Sequence, residues 1–379
     1  MNKASSTVHL RLLLSRNLPL LFVSGLLIIG VVRMFLWVVA NPFPVGYDAR
    51  SYIAAAHAIT QGYSPYLSST WTVVDIPVTT SKYLYPPLLA ILFTPLTALP
   101  FVTATYICVL FAVLSAITYV ILLRQELGWR YAILAVLYFP PTWQTIYLGQ
   151  INLLIAIILL LAMRAYPGQS GSRFGFYIAL GTLLKITPVV LCPLLIRRSL
   201  RSGMYTFIGV VIFSVLLTVP FVALSDWWSG GLYALQQRWS TPELVSWTGI
   251  FAHYGGYRGE IAGLCFSLLF GILTLYRLRY IPPTYAFAAL IFLPLLIARI
   301  TWEHHTVMVL PALVALWIKP DNNRLLAGSV WLLISVIGGL ATPFALTLGW
   351  IGCCWPESTR SKILQAYQFL TTRLSALAA

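Results

Sequence analysis

Long apolar runs separated by short polar segments set the plan of this chain. The first run, 19–40, is long enough to cross a bilayer, which takes about 20 apolar residues. It follows Lys3, Arg11 and Arg16, and it is too long for a signal-peptide core although Val38 to Ala40 resembles a cleavage site. An uncleaved first span with a cytoplasmic N-terminus is the expectation. Arg33 interrupts this run, and a charge at membrane depth costs about 2.5 to 3.5 kcal/mol even on lenient scales. It is expected to snorkel outward, the other solution being a buried anion.

A long external loop, about 41–100, comes next, and it carries Asp48, Asp75 and Lys82. Within it the apolar stretch 86–99 is bounded and interrupted by prolines and too short to span, which predicts interfacial helices along the membrane. The run 101–123 ends at Arg124 and Arg130, and short apolar runs on either side of Gly149-Gln150 lead to Arg164 and Arg173. Between 174 and 196 the motif Lys185-Ile186-Thr187-Pro188 divides one span into two half-length helices. Further runs at 203–224, 261–276, 282–298, 307–318 and 325–350 bring the total to about eleven spans. The segment 356–379 mixes Arg360, Lys362 and Arg373 with Ile363, Leu364 and Phe369, as an amphipathic surface helix does.

Composition sharpens the class. The chain of 379 residues is 59% hydrophobic and 9% charged with a mean hydropathy of +0.85, values outside the soluble globular range. An all-α polytopic membrane protein with a single domain, 1–379, follows. The net charge of +15 is dispersed among short loops as orientation signals are, which argues against a nucleic-acid partner. On the threading above, 14 of the 24 Lys and Arg fall on the inner side, against only Glu126 and Asp321 among the nine acids. Six acids, Asp48, Asp75, Asp226, Glu243, Glu260 and Glu303, gather with four of the five histidines on the outer side. Three of the five cysteines lie inside apolar runs and none forms a CxxC pair, so they read as lipophilic fillers.

Chemistry therefore converges on the external face. Asp48 follows the turn-forming Asn41-Pro42-Phe43-Pro44 and precedes an Ala-rich helical stretch that sets it on one face with Tyr52, four residues on. A capping role at that helix start is the competing reading. Neither a DxD pair nor a His and carboxylate spacing for zinc is present, so no metal or other cofactor is indicated. The tryptophans Trp71, Trp227, Trp228, Trp239, Trp247 and Trp302 fit an aromatic belt, with stacking on the rings of a substrate as the alternative.

The motifs also occur in a telling order. Asp48, Tyr52, Ala55, Gly62, Pro65 and Tyr66 are followed by Tyr85-Pro86-Pro87-Leu88, Gly149-Gln150-Ile151-Asn152, Lys185-Ile186-Thr187-Pro188 and Glu303-His304-His305. Together they resemble glycosyltransferase family 87, polytopic transferases of the C type that use polyprenyl-phosphate sugars. The resemblance implies an inverting enzyme of the cell membrane with its active site on the extracytoplasmic side. Asp48 matches the acid of the first external loop that acts as general base. By the same match His304 and His305, Lys185 and, with Asp48, Tyr52 are candidates for binding the substrates; Arg299 and Arg258 join them by predicted location. Membrane-edge anchoring is the alternative for the two arginines, and holding carbonyls freed by the helix break is the alternative for Lys185.

The implied reaction moves one sugar, mannose first and arabinofuranose next, from a polyprenyl-phosphate donor to an envelope glycolipid or glycan. The later external loop reads Leu244-Val245-Ser246-Trp247-Thr248-Gly249-Ile250, where the family often carries an Asn/Ser-containing motif; that loop is expected to face the acceptor. A transporter or flippase of lipid-linked sugars and a membrane glycan ligase are the competing functions. The transporter would depend on Lys185 and Arg33 but little on Asp48, and the ligase would need a diphosphate donor.

Overall fold

A computed structural model describes residues 24–25, 28–66, 83–166, 170–196, 201–236, 243–318 and 323–356. Asp75, Lys82, Trp71, Trp239, the start of the first run and the amphipathic segment beyond Pro356 lie outside the described residues. So do Lys3, Arg11, Arg16, Arg197, Arg198, Lys319 and Asp321 of the charge census.

Regular structure among the described residues is helical, apart from one isolated bridge between Leu244 and Trp302. Helix α1 spans Ile28–Ala40, α2 Tyr47–Thr60, α3 Pro87–Phe93, α4 Phe101–Leu137 and α5 Pro140–Leu148. Next come α6 Asn152–Ala165, α7 Gly171–Leu184, α8 Cys192–Leu195, α9 Arg201–Thr218 and α10 Leu224–Gln236. The series ends with α11 Trp247–Arg277, α12 Pro283–Ile297, α13 Leu310–Trp317, α14 Arg324–Val336 and α15 Thr342–Cys354. Among the described residues α4, α9 and α11 are long and apolar enough to cross a bilayer. Their outer faces expose large apolar side chains such as Val102, Leu216 and Leu264, the surface that lipid covers.

A helix that is apolar all round has no face to give to water or to a polar loop, so it goes to the centre. Helix α12 does this: Phe287, Ala288, Ala289 and Phe292 are all fully buried. It packs against α15, α11 and α13, while α6, also buried on most of its surface, packs on α7 and α4.

Three expected runs take a different path. The run that was to end at Arg124 continues as α4 to Leu137, with Gly128 at φ 75° absorbing a kink that a loop would otherwise make. Arg124 lies 4.9 Å from the centre of the Trp129 ring, and Glu126 is paired with Arg164 through N–O contacts of 2.7 and 2.9 Å. That pair joins two residues that the charge pattern had put on one side.

The external segment expected between the runs 203–224 and 261–276 is in large part helix. In α11, Thr248 Oγ1 lies 2.9 Å from Ser267 Oγ. Nineteen residues of continuous helix would hold these roughly 28 Å apart. The chain reverses at Gly256, whose φ of 53° and ψ of −136° suit glycine alone. The two legs form a tight hairpin, and a side chain at Gly259 would strike the carbonyl of Phe251.

The last expected crossing, 325–350, is likewise broken. Gly338 and Gly339, with φ of 55° and 47°, turn the chain between α14 and α15, and Leu326 lies against Gly352 so that the two helices run antiparallel.

Two features position the outer-loop chemistry. Helix α2 is buried rather than laid on a surface: Ala49, Tyr52, Ile53 and Ala55 have no exposure, and the helix packs on α3 and α4. Gly149, at φ 67°, ends α5 against it, where an added Cβ would come within 2.7 Å of the Ala49 methyl. Gly149→Ala is therefore expected to cost about 1 to 3 kcal/mol through strain and overlap, read as a lower apparent Tm in detergent with loss of activity.

Candidate active site

Helix starts and breaks deliver most polar groups of the site, while Tyr52 comes from within α2. Asp48 sits in the first turn of α2, and the N-cap position belongs to Gly46, so Asp48 does not cap the helix. Gln150 lies in the turn between α5 and α6, where Gly149 stops one helix, and Asn152 is the first residue of the next. Lys185 is the extended residue at φ −153° that ends α7, before a short 3-10 turn over Thr187–Leu191 begins at its proline. His304 and His305 lie in a second 3-10 segment, Glu303–Val309. Each is thus held on backbone that regular hydrogen bonding has released.

Gln150 joins these groups. Its Nε2 donates to Asp48 Oδ2 at 2.6 Å and stands 3.2 Å from His304 Nε2. Its Oε1 accepts from the Tyr85 hydroxyl at 3.1 Å and from the Tyr52 hydroxyl at 3.4 Å. An amide has two N–H donors and two carbonyl lone pairs, and all four are used. The pattern sets the orientation of the amide, because a flipped Gln150 would turn its oxygen on a carboxylate. It also sets the imidazole, since His304 Nε2 must be unprotonated to accept and its proton then sits on Nδ1.

The charge state agrees with the geometry. Burial, with the Lys185 ammonium as a second cause, lowers the His304 pKa to about 3. His305 is held well below the usual imidazole value for the same reasons, and its Nδ1 accepts from the Trp302 N–H at 3.3 Å. Both rings are neutral near pH 7, so His304 offers the site hydrogen bonding rather than charge. Burial and the nearby Asp48 carboxylate push the Tyr85 and Tyr52 phenols up, which keeps them as donors to Gln150.

Lys185 adds a buried amine. Its Nζ donates to Asn152 Oδ1 at 2.6 Å and lies 5.5 Å from the centre of the Tyr85 ring. The freed-carbonyl role is not the one seen, for its hydrogen-bond partner here is a side chain. Asn152 Nδ2 and Thr145 Oγ1 donate to the His304 carbonyl at 3.4 and 3.1 Å, which ties the histidine segment to α5 and α6. Tyr66 fixes Tyr85 in turn by donating to its carbonyl at 2.6 Å.

Of the residues singled out in the sequence, Asp48, Tyr52, Lys185 and His304 come together, with His305 stacked edge-on against His304 at 4.5 Å. Arg299 pairs instead with Glu260 of α11 at 2.8 Å, and Arg258 is exposed at the hairpin end of α11. Neither is a hydrogen-bond partner of Gln150 among the described residues. Gln150 and Asn152 belong to the Gly149-Gln150-Ile151-Asn152 motif without standing out in the sequence as site residues, although two amides between apolar runs signal a buried network.

Arg33 does not snorkel. It forms an ion pair with Glu303, because α1 brings it against the histidine segment and within reach of carbonyls at the end of α14. Beside it an apolar cavity of about 300 Å³ opens, lined by residues that include Gly30, Met34, Pro140 and Trp143.

A half-buried carboxylate, a lysine and neutral imidazoles joined by amides, on a helical membrane scaffold, form a constellation able to take up and hold protons. The chain belongs to glycosyltransferase family 87, whose family model matches residues 83–281. That match holds Tyr85, Gln150, Asn152 and Lys185, while Asp48 and the 303–305 motif lie outside it.

Two curated relatives carry the name polyprenol-phosphate-mannose-dependent alpha-(1-2)-phosphatidylinositol mannoside mannosyltransferase. The protein of Mycolicibacterium smegmatis is 24% identical, over 87% of this chain and 82% of its own length. That of Mycobacterium tuberculosis is 26% identical, over 82% of this chain and 79% of its own length. No solved structure matches the chain.

The His304 ring makes pH a probe of the network. An unfolded histidine takes up its proton near pH 6.5, and the folded one only near pH 3. Stability from this group is therefore full above pH 6.5 and falls as pH drops toward 3, by up to about 1.4 kcal/mol per pH unit. The apparent Tm in detergent is expected to fall more between pH 8 and pH 5 in the parent than in His304→Asn.

Proposed function

We propose that this chain is an inverting glycosyltransferase that moves a single mannosyl group from a polyprenyl-phosphate donor to an envelope glycolipid. The active site would face the extracytoplasmic side, in a fold of about eleven crossings. The observation that carries this reading is the Gln150 amide, which couples the Asp48 carboxylate at 2.6 Å to the neutral His304 at 3.2 Å.

Asp48 is the general base. The acceptor hydroxyl gives its proton to the carboxylate as its oxygen forms the new bond to the anomeric carbon. The bond from that carbon to the phosphate oxygen breaks on the opposite face, its electron pair leaves with the polyprenyl phosphate, and the anomeric configuration inverts. A phosphate leaving group needs little protonation, but its charge must be held. Lys185 supplies the positive charge and His304 or His305 a hydrogen bond. Gln150 keeps the carboxylate aimed, so that little reorganisation is needed when the proton moves.

The two relatives, named as mannose-dependent transferases, support mannose as the sugar, and the phosphatidylinositol mannoside in the same names supports a glycolipid acceptor. Arabinofuranose is the second donor to try. The apolar cavity beside Arg33 suits isoprenoid units of the donor lipid, since only apolar contact is asked of that part of the substrate.

The decisive experiment measures transfer from short-chain polyprenyl-phosphate mannose, arabinofuranose and glucose to membrane glycolipid extract, with the parent and Asp48→Asn. One donor is expected to be used by the parent. Asp48→Asn is expected to bind that donor while losing about 10² to 10⁴ in kcat, the range of general-base contributions. Undiminished transfer by the variant would remove Asp48 as base. Donor binding without transfer by the parent would favour a transporter of lipid-linked sugars.

A further inference from the structure

Arg33 and Glu303 form an ion pair that adjoins the histidine segment without belonging to the chain of groups built on Gln150. Arg33 stands two-thirds of the way along the sequence run that begins the chain; Glu303 immediately precedes His304. Both are largely withdrawn from solvent, with side-chain exposures of 21% and 15%. A pair in that setting gives up hydration on both sides, so it adds little stability by itself and is better suited to defining one arrangement.

The surroundings make the arrangement unique. Arg33 donates to the carbonyls of Ile334 and Ser335 at 2.8 and 3.0 Å. These belong to the last turn of α14, where carbonyls lack helical partners and the helix end is negative. A side chain at Gly338 would overlap the guanidinium, so the group occupies a fitted slot. Glu303 is held on its other oxygen by Gln144 Nε2, which donates at 3.2 Å from α5. Thr145, next to Gln144, holds the His304 carbonyl. The ion pair thus spans from the end of α14 through α1 to the residue before His304.

We propose that Arg33 and Glu303 are positioning residues for His304: the guanidinium, fixed on the end of α14, holds the Glu303 carboxylate and so sets where the imidazole meets Gln150. This rests on the transferase reading for its kinetic consequence only. The geometric consequence, that the His304 ring keeps one tautomer and one partner, is independent of any substrate.

The test uses full-length protein in detergent or nanodiscs. Arg33→Gln and Glu303→Gln are each expected to lower kcat about tenfold or more while the KM for the lipid donor stays within about twofold, as misplacement of a catalytic group does. The double variant should be no slower than the worse single one, because the two act as a unit. Arg33→Lys should recover part of the rate by keeping the charge without the forked geometry. Glu303→Gln separates this role from simple capping, because it leaves the bonds from Arg33 to α14 available.

Histidine nitrogen NMR on the substrate-free protein, with His304→Asn for assignment, supplies the second readout. The parent should show His304 protonated on Nδ1 alone, and Glu303→Gln should mix the tautomers or shift the Nε2 signal. An unchanged signal and an unchanged kcat in Glu303→Gln would overturn the proposal. A rise in donor KM alone would also overturn it, by making Arg33 a donor contact. If the NMR change appears in a protein that transfers no sugar, the positioning role stands and the transferase reading fails.

Discussion

The Gln150 amide is the constraint on which the site depends. It is 4% exposed, and a buried amide with any of its four positions unmet would carry a large desolvation penalty. Its two donors and two lone pairs therefore demand a carboxylate or other acceptor on one edge and hydroxyls on the other. Asp48 and His304 meet the first demand, Tyr85 and Tyr52 the second. Four segments that are far apart in sequence are thus obliged to meet at one side chain. Burial is what keeps His304 neutral and the two tyrosines protonated, and the amide then matches its donors and acceptors to those states.

A membrane scaffold explains why such groups gather where helices fail. In an apolar medium backbone groups are satisfied within helices, and polar side chains are costly along their length. Turns, 3-10 segments and proline breaks already carry released backbone groups, and polar side chains placed there share hydrogen bonds with them. Lys185 before the Thr187–Leu191 turn, the histidines in Glu303–Val309 and Gln150 at the α5–α6 turn all follow this logic. The long helices α4 and α9 contribute span and packing instead, and their exposed faces are apolar.

The ion pair of Arg33 and Glu303 extends the same economy outward. A charge in the first apolar run can either reach for headgroups or find an anion. What decides is whether an anion lies within the length of one side chain, and that depends on α14 and the histidine segment folding back beside α1. The glycines at 338 and 339 are what turn the chain there.

Much of this was legible in the chain alone. The apolar runs and low charge specified a helical membrane protein, because a bilayer tests each segment separately and largely without reference to its neighbours. The helix break at Lys185-Ile186-Thr187-Pro188, the helix after Gly46 and the ordered motifs of the family were likewise local signals. Tertiary structure decided the rest. Gly128, Gly256 and the Gly338-Gly339 pair became a kink and two reversals, where an apolar window reads only a loop or a continuing span. Arg33 found Glu303 across 270 residues, and Gln150 rather than any charged residue proved to be the hub. Periodicity and composition report what each segment prefers, whereas a hydrogen-bond partner is set by which segments pack together, and that information exists only once they do.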